Sequence, residues 1–298
     1  HSASYAVESY QSLYLKCYFP LEFMVAVLNN GGGFYSAEHY IHEARVCGGN
    51  VHAPCINKSD HPNRILGKEI YLGFGYLKNL EHYTIQRILT ERQLNGEYKS
   101  FDDFIDRVII SIEQLTILIR IGAFRFTGIQ KQQLLWNAIF KLNNGKKSVQ
   151  KPLFKLEHKS FKLPDLNNGV IEEAYDQMEL LGFALCNYFD LVNERYKENV
   201  LAKEMNRFIN KKVHLYGKLV NTRFHKASNG KLMRFCTFVD IKGDYFDTVH
   251  FHDTVDKYPI YGIGIYECIG KVIEEFGFCS IEVISTRKIS LKPDPRLF

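Results

Sequence analysis

Residues 211–241 read KKVHLYGKLVNTRFHKASNGKLMRFCTFVDI, and how this stretch alternates decides the fold of the carboxy-terminal part of the chain. Side chains on a strand point to opposite faces in turn, so apolar residues recurring every second position mark strands with one covered face. The two alternating runs are separated by KASNGK, whose Asn229-Gly230 pair is a strong hairpin-turn signal. Beyond it, YFDTVHFHD (245–253), GIYECIGKVIEEF (264–276) and CSIEVISTRKI (279–289) supply further strands, with DTVDKY (253–258) as a short helix between them. Five strands with one helical insert in under a hundred residues fit a small closed Greek-key barrel, the OB-fold.

Upstream the period changes to three and four. Residues 3–29 read as helix, with Pro20 in the first turn of a second helical segment, and a short helix runs from the cap Ser36 to the Gly48-Gly49 stop. From Ile65 to Phe74 the pattern is short and strand-like. Helical pieces punctuated by turns follow: LEHYTIQRILTERQ (80–93), SFDDFIDRV (100–108), SIEQLTILIRIGAF (111–124) and IQKQQLLWNAIFKL (129–142). Ser100 is placed as a cap with Asp102 and Asp103 in the first turn, and Ser111 with Gln114 has capping-box spacing. Small paired helices joined by tight turns are the pattern of helix-hairpin-helix units. Between residues 141 and 162 stand seven lysines against one acid, Glu157, so 143–168 reads as a linker, and VIEEAYDQMELLGF (170–183) is a further helix. The fold class is therefore α+β and multidomain: a helical region, then a small five-stranded OB-fold barrel.

Composition narrows the function. The net charge of +5 is a mild bias toward polyanions, no apolar run approaches the ~20 residues that span a bilayer, and the amino end has no signal-peptide pattern. The protein is expected to be soluble and cytoplasmic, with no membrane partner. Seven cysteines without a CxxC pair suit reduced thiols. His39, His42, Cys47, His52 and Cys55 tempt a zinc reading, but they lack a clamp spacing, and ordinary surface histidines and core thiols explain them better. His250 and His252 flank Phe251 on one strand face and are read the same way, and Asp102-Asp103 is read as helix-start charge, not as a catalytic pair. No catalytic residue, metal or cofactor is assigned to this chain.

Two constellations carry binding chemistry. Around the first barrel hairpin Arg223, His225, Lys226, Lys231 and Arg234 interleave with Phe224, Phe235 and Phe238. Cations that track phosphates beside rings that stack bases are what a single-strand site needs, at about 1–3 kcal/mol per stacked base. Alternation sends Phe235 and Phe238 to opposite faces. The second is QKPLF, 150–154, where Leu153 and Phe154 stand together in the Lys-rich linker. Leaving two such side chains in water forfeits roughly 1.5–3 kcal/mol each, so they either cover their own domain or await a partner, and Pro152 stiffens the segment for docking.

The order of the pieces resembles a known family. HSASYAVESYQSLYLKCYFPLEFMVAVL (1–28), YIHEARVCG (40–48), APCINKS (53–59), YLGFGYLKNL (71–80), RIGAF (120–124), ELLGFAL (179–185) and GKLMRFCTFVD (230–240) are similar, in order and over nearly the whole chain, to the bacterial replicative DNA polymerase III alpha subunit. The resemblance implies a carboxy-terminal fragment divided as 1–64 end of the fingers, 65–142 tandem helix-hairpin-helix, 143–168 linker with a clamp-binding peptide, 169–210 helical connector and 211–298 OB-fold. A start at His1 instead of Met suits a fragment, processed product or split chain. It further implies duplex DNA contacts from Lys78, Arg125 and Lys131, a sliding-clamp contact from Gln150, Leu153 and Phe154, and His1 and Tyr5 nearest the incoming nucleotide. Partners would be duplex and single-stranded DNA, the clamp, the rest of the alpha subunit and the replisome. The family is a DNA-directed DNA polymerase, a nucleotidyltransferase whose Mg-binding carboxylates lie in a palm domain that this chain lacks, so the piece alone is expected to be inactive. The sequence departs from the family at LKNLEH (77–82) where a glycine-rich turn is usual, at Arg125 where an acid is common, and at CNY (186–188) where His-Pro is frequent. The alternative is a free-standing single-strand-binding or repair accessory protein that uses the barrel alone.

Overall fold

The computed structural model describes residues 1–144, 169–193, 199–228 and 230–297. Two compact units divide the chain: 1–185 with 294–298, and 186–293. The boundary falls inside the stretch 169–210 read as a connector.

In the first unit, α1 (Ser2–Tyr18) buries no residue, whereas α2 (Pro20–Asn29) buries Leu21, Met24, Val25 and Leu28. Pro20 occupies the helix's first turn, where its missing N–H costs nothing. Leu21, Met24 and Val25, with Ala44 of α3 (Ala37–Val46), pack on Ile70 of a three-stranded sheet formed by β1 (Asn50–His52), β2 (Arg64–Leu66) and β3 (Glu69–Tyr71), in the order β1-β3-β2, while Leu28 joins the core of the paired helices. Only the β2–β3 part was expected; β1 pairs with β3 in parallel, from a segment without alternation.

The paired helices follow as α4 (His82–Asn95), α5 (Phe101–Arg107), α6 (Ile112–Arg120) and α7 (Lys131–Asn144), with α8 (Val170–Leu180) after them. Ser100 Oγ accepts from Asp103 N and Ser111 Oγ from Gln114 N, contacts worth about 1 kcal/mol each. The rings of Phe101, Phe104 and Phe124 meet edge-on at 4.9–5.0 Å, and Tyr98 meets Phe104 at 5.0 Å. Burial pushes the Tyr98 phenol up to about 12, and its hydroxyl donates to Ile88 O.

A buried carboxylate organises the unit's far side. Asp176 is 2% exposed and receives Arg120 at 2.8 Å, Lys131 at 2.6 Å and Arg296 at 2.8 Å. Arg120 and Arg296 also hold Glu179, and Arg296 holds Asp294, so residues 294–297 are tied to α6, α7 and α8. Hydrogen bonds from Arg120 bring the Glu179 carboxyl below its ordinary range, and Arg296 does the same for Asp294. Carboxyls with depressed folded values add stability that is present above their unfolded range and lost as pH falls through the folded one. We therefore expect the 294–297 segment to detach on acidification below about pH 4, before the apolar core opens. Native-state amide exchange at Leu297, whose N–H donates to Asp294 O, measures this; protection that stays unchanged well below that pH while the core remains folded would contradict it.

The second unit is a closed barrel of β4 (Lys212–Lys226), β5 (Leu232–Val239), β6 (Tyr245–His250), β7 (Ile265–Glu275) and β8 (Phe278–Ile289), in the order β4-β5-β6-β8-β7 with β7 returning to β4. Only the β6–β8 pair is parallel, and α9 (His252–Lys257) connects β6 to β7. This is the five-stranded OB-fold topology expected from the alternating runs, and the α+β class is as read. Leu215, Phe238, Cys268, Val272 and Ile281 fill the interior. Phe238 and Phe246 stack at 5.4 Å over Gly217, where a Cβ would lie 2.6 Å from each side chain. The β6 strand ends at His250, so His250 and His252 do not share a strand face as expected: the first is buried, the second opens α9.

Candidate nucleic-acid interface

The first barrel hairpin is built on a single irregularity. Leu219 pairs with Phe238 but Asn221 pairs with Thr237, which leaves Val220 as an extra residue in β4. Below it Val213, Leu215, Gly217 and Leu219 face inward; above it the inward positions become Thr222, Phe224 and Lys226, opposite Cys236, Arg234 and Leu232. A bulge resets alternation in this way while increasing local twist. The eight residues read from the sequence are therefore not one cluster. Phe224, Lys226 and Arg234 continue the face of the barrel interior, whereas Arg223, His225 and Phe235 occupy the opposite face. Lys231 lies at the hairpin end, where Ala227 N donates to Lys231 O, and Asn229 lies outside the described residues.

Each face has the paired chemistry of a stacking surface. On the first, the Arg234 guanidinium lies 4.1 Å over the half-exposed Phe224 ring. On the other, Phe235 is exposed beside His225, with ring centroids 6.3 Å apart. Phe238 is fully buried, as its opposite phase to Phe235 requires. Behind Arg234, on the adjacent strand, is His250, 1% exposed; its Nε2 lies 2.9 Å from Thr248 Oγ1.

In the helical unit the two hairpins sit at 77–81 and 121–124. Asn79 adopts φ 64° in the first, so the left-handed position that glycine usually fills is kept by a residue that tolerates it. Gln114, in the first turn of α6, holds the first hairpin: its Nε2 donates to Asn79 O and its Oε1 accepts from Glu81 N. Its side chain thus does not complete the capping box its spacing suggests, and this residue was missed because the bond spans 33 to 35 positions. The second hairpin ends α6 with Gly122 at φ 75° and Ala123 N donating to Leu118 O.

The three expected duplex contacts differ in availability. Lys78 is exposed, with its amide on Leu180 O. Arg125 directs its guanidinium to the carbonyls of Ala53, Pro54 and Gly122, fastening the loop before β2. Lys131 is buried against Asp176 and does not present its ammonium to solvent. Asp102 pairs with Lys141, and Asp103 accepts from Lys99 N, so both serve the helix start. His1 and Tyr5 are exposed at the start of α1. Gln150, Leu153 and Phe154 lie outside the described residues. Among the described residues no group of three or more His, Cys, Asp and Glu is placed to hold a metal ion, and His52 instead pairs with Glu69 and stacks on Tyr71. Among them, too, no helix is long and apolar enough to cross a membrane.

The helix-hairpin-helix motif family matches residues 48–134, the span that holds both hairpins. A DNA polymerase III subunit alpha of Borreliella burgdorferi is 33% identical over 61% of this chain and 17% of its own length. That of Thermus aquaticus is 34% identical over 41% of this chain and 10% of its own, and that of Aquifex aeolicus 27% identical over 82% and 21%. The matched stretches thus span between a tenth and about a fifth of these relatives. Among solved structures, the second OB-fold domain of replication protein A from Methanococcus maripaludis is similar at 13% identity, over 28% of this chain and 90% of that one, with a TM-score of 0.22, at which the likeness carries no weight. Relatives, hairpins and barrel together make this chain homologous to the carboxy-terminal region of the bacterial DNA polymerase III alpha subunits.

Proposed function

We propose that this chain is the DNA-holding part of a replicative polymerase of the polymerase III alpha type, without a catalytic centre of its own. The observation that carries the reading is the pairing, in one chain, of two helix-hairpin-helix turns, the first fastened to the start of α6 by Gln114, with a barrel hairpin that exposes Phe224 and Phe235 beside cations. Left-handed turns and helix starts suit backbone amides to duplex phosphates, and rings beside cations suit an unpaired strand. Lys78 is the duplex contact best placed by its exposure. The uncovered apolar stripe of α1, including Tyr10, Leu13, Tyr14 and Tyr18, suits a neighbouring domain of a longer polymerase, where His1 and Tyr5 would approach the nucleotide. Mg and the reacting carboxylates belong to that other domain in this reading, which also makes the protein cytoplasmic and part of a replisome.

Residues 150–154 are read as the segment that docks on a sliding clamp. Leu153→Ala with Phe154→Ala is expected to abolish binding to the immobilised clamp while changing affinity for a primed template by less than about twofold, since surface changes away from an interface are near neutral. Surface plasmon resonance with the full chain measures both; equal clamp binding by both proteins refutes the docking role. If the wild-type chain does not bind the primed template at low salt, the DNA-holding role fails.

A further inference from the structure

Arg234 and His250 stand directly opposite one another on β5 and β6, on the face that carries Phe224. Each has a buried nitrogen with no hydrogen-bond partner: Nε of Arg234 and Nδ1 of His250. Their chemistries are complementary. Thr248 Oγ1 lies 3.3 Å from Cys236 O and 2.9 Å from His250 Nε2; the tautomer that lets the hydroxyl donate to Cys236 O and accept from Nε2–H is assigned to His250, and it leaves Nδ1 with its lone pair. Burial, with the Arg234 charge second, pushes the imidazole down to about 4, so it is neutral at ordinary pH and able to accept.

Arg234 does not use that acceptor because its guanidinium is turned elsewhere, over the Phe224 ring at 4.1 Å and with Nη1 on Ile260 O at 3.3 Å. Among the described residues it makes no ion pair, an unusual economy for a half-buried cation. A base that stacks on Phe224 competes for the ring face now covered by the guanidinium. Releasing the guanidinium from the ring lets it rotate toward the strand behind it.

We infer that His250 is a positioning residue for nucleic acid: in the strand-bound state Arg234 Nε–H donates to His250 Nδ1, which holds the Nη edge outward for a phosphate. This rests on the single-strand reading of the hairpin and deepens it by naming the group that orients its arginine. The pairing satisfies two buried atoms that the unbound state leaves without partners, so binding and internal satisfaction occur together.

The two isosteric amides separate this role from a packing role. Asparagine places its carbonyl oxygen where Nδ1 was; glutamine reproduces Nε2 and leaves the Nδ1 position without an acceptor. With the full chain and fluorescein-labelled oligothymidylate, anisotropy is expected to show His250→Gln binding about fivefold to tenfold more weakly, the scale of one lost hydrogen bond, and His250→Asn within about twofold of wild type. Added to Arg234→Ala, His250→Gln should have no further effect. Equal binding by His250→Gln and wild type, equal loss in both amide variants, or additive losses with Arg234→Ala would overturn the proposal. Should a variant fail to fold, ¹⁵N imidazole NMR of the wild-type chain decides: the Nδ1 resonance of His250 shifts on oligothymidylate addition if it gains a donor, and stays fixed if it does not. Wild type and Arg234→Ala binding equally would instead sink the single-strand reading of this hairpin, and the inference with it.

Discussion

Replacing Asp176 by alanine is expected to destabilise the helical unit by about 3–5 kcal/mol, the cost of breaking a buried charge cluster by removing one side. The carboxylate is the shared partner of Arg120, Lys131 and Arg296, and Lys131 is itself buried with no other ion pair among the described residues. Without Asp176 the Lys131 ammonium must either stay in an apolar setting uncompensated or pull α7 outward to reach water. Arg120 and Arg296 retain Glu179, so most of the loss falls on Lys131. The chain's one tryptophan, Trp136, lies on α7, and its fluorescence during urea unfolding reports the midpoint directly. Lys131→Met combined with Asp176→Ala should recover a large part of the loss, because an unpaired buried charge is then absent. A midpoint for Asp176→Ala within experimental scatter of wild type would contradict this account.

The second large effect is expected at Gly217. Valine there should cost about 3 kcal/mol or more, the upper end for overpacking a filled core. The position faces the barrel interior beneath the stacked Phe238 and Phe246, and even a bare Cβ would lie 2.6 Å from both. Phe238 is fully buried and also meets Tyr266 edge-on at 6.0 Å, so its ring has no empty direction to take. Either the ring pair separates or β4 moves away from it, and β4 is bonded on both edges, to β5 and β7. Near-UV circular dichroism, which follows aromatic packing, is the appropriate readout. A variant that keeps the wild-type spectrum and unfolding midpoint would show that the rings yield more cheaply than their contacts imply.

Both effects concern features that local sequence patterns do not display. Helix starts were legible because Ser100 and Ser111 act on a residue three positions away. The barrel was legible because β4, β5, β7 and β8 are each eight residues or longer, enough for alternating runs to show between their irregularities. The sheet of β1 to β3 was only half legible, since three-residue strands are too short to reveal a period. Lys131 has the look of a surface lysine at a helix start; its burial depends on Asp176, 45 residues later. Likewise Gln114 matched a local motif by spacing, while its side chain bonds to a hairpin more than 30 residues earlier. At the candidate interface the residue types were legible, but not their division between two faces. That division depends on Val220, which by composition is an ordinary strand residue.

The consequence of that one residue reaches beyond geometry. One continuous strand obeys two alternation rules in succession, and the odd position between them keeps each from constraining the other. Substitutions in the arm can alter what it offers to a ligand without touching the lining of the closed part below. The phase of the arm has no such freedom: were Val220 drawn into regular pairing, alternation from Leu219 would turn Arg223 and His225 inward and Phe224 outward, whereas removing the residue would leave their facings as they are. The arm can therefore vary in composition far more readily than in phase.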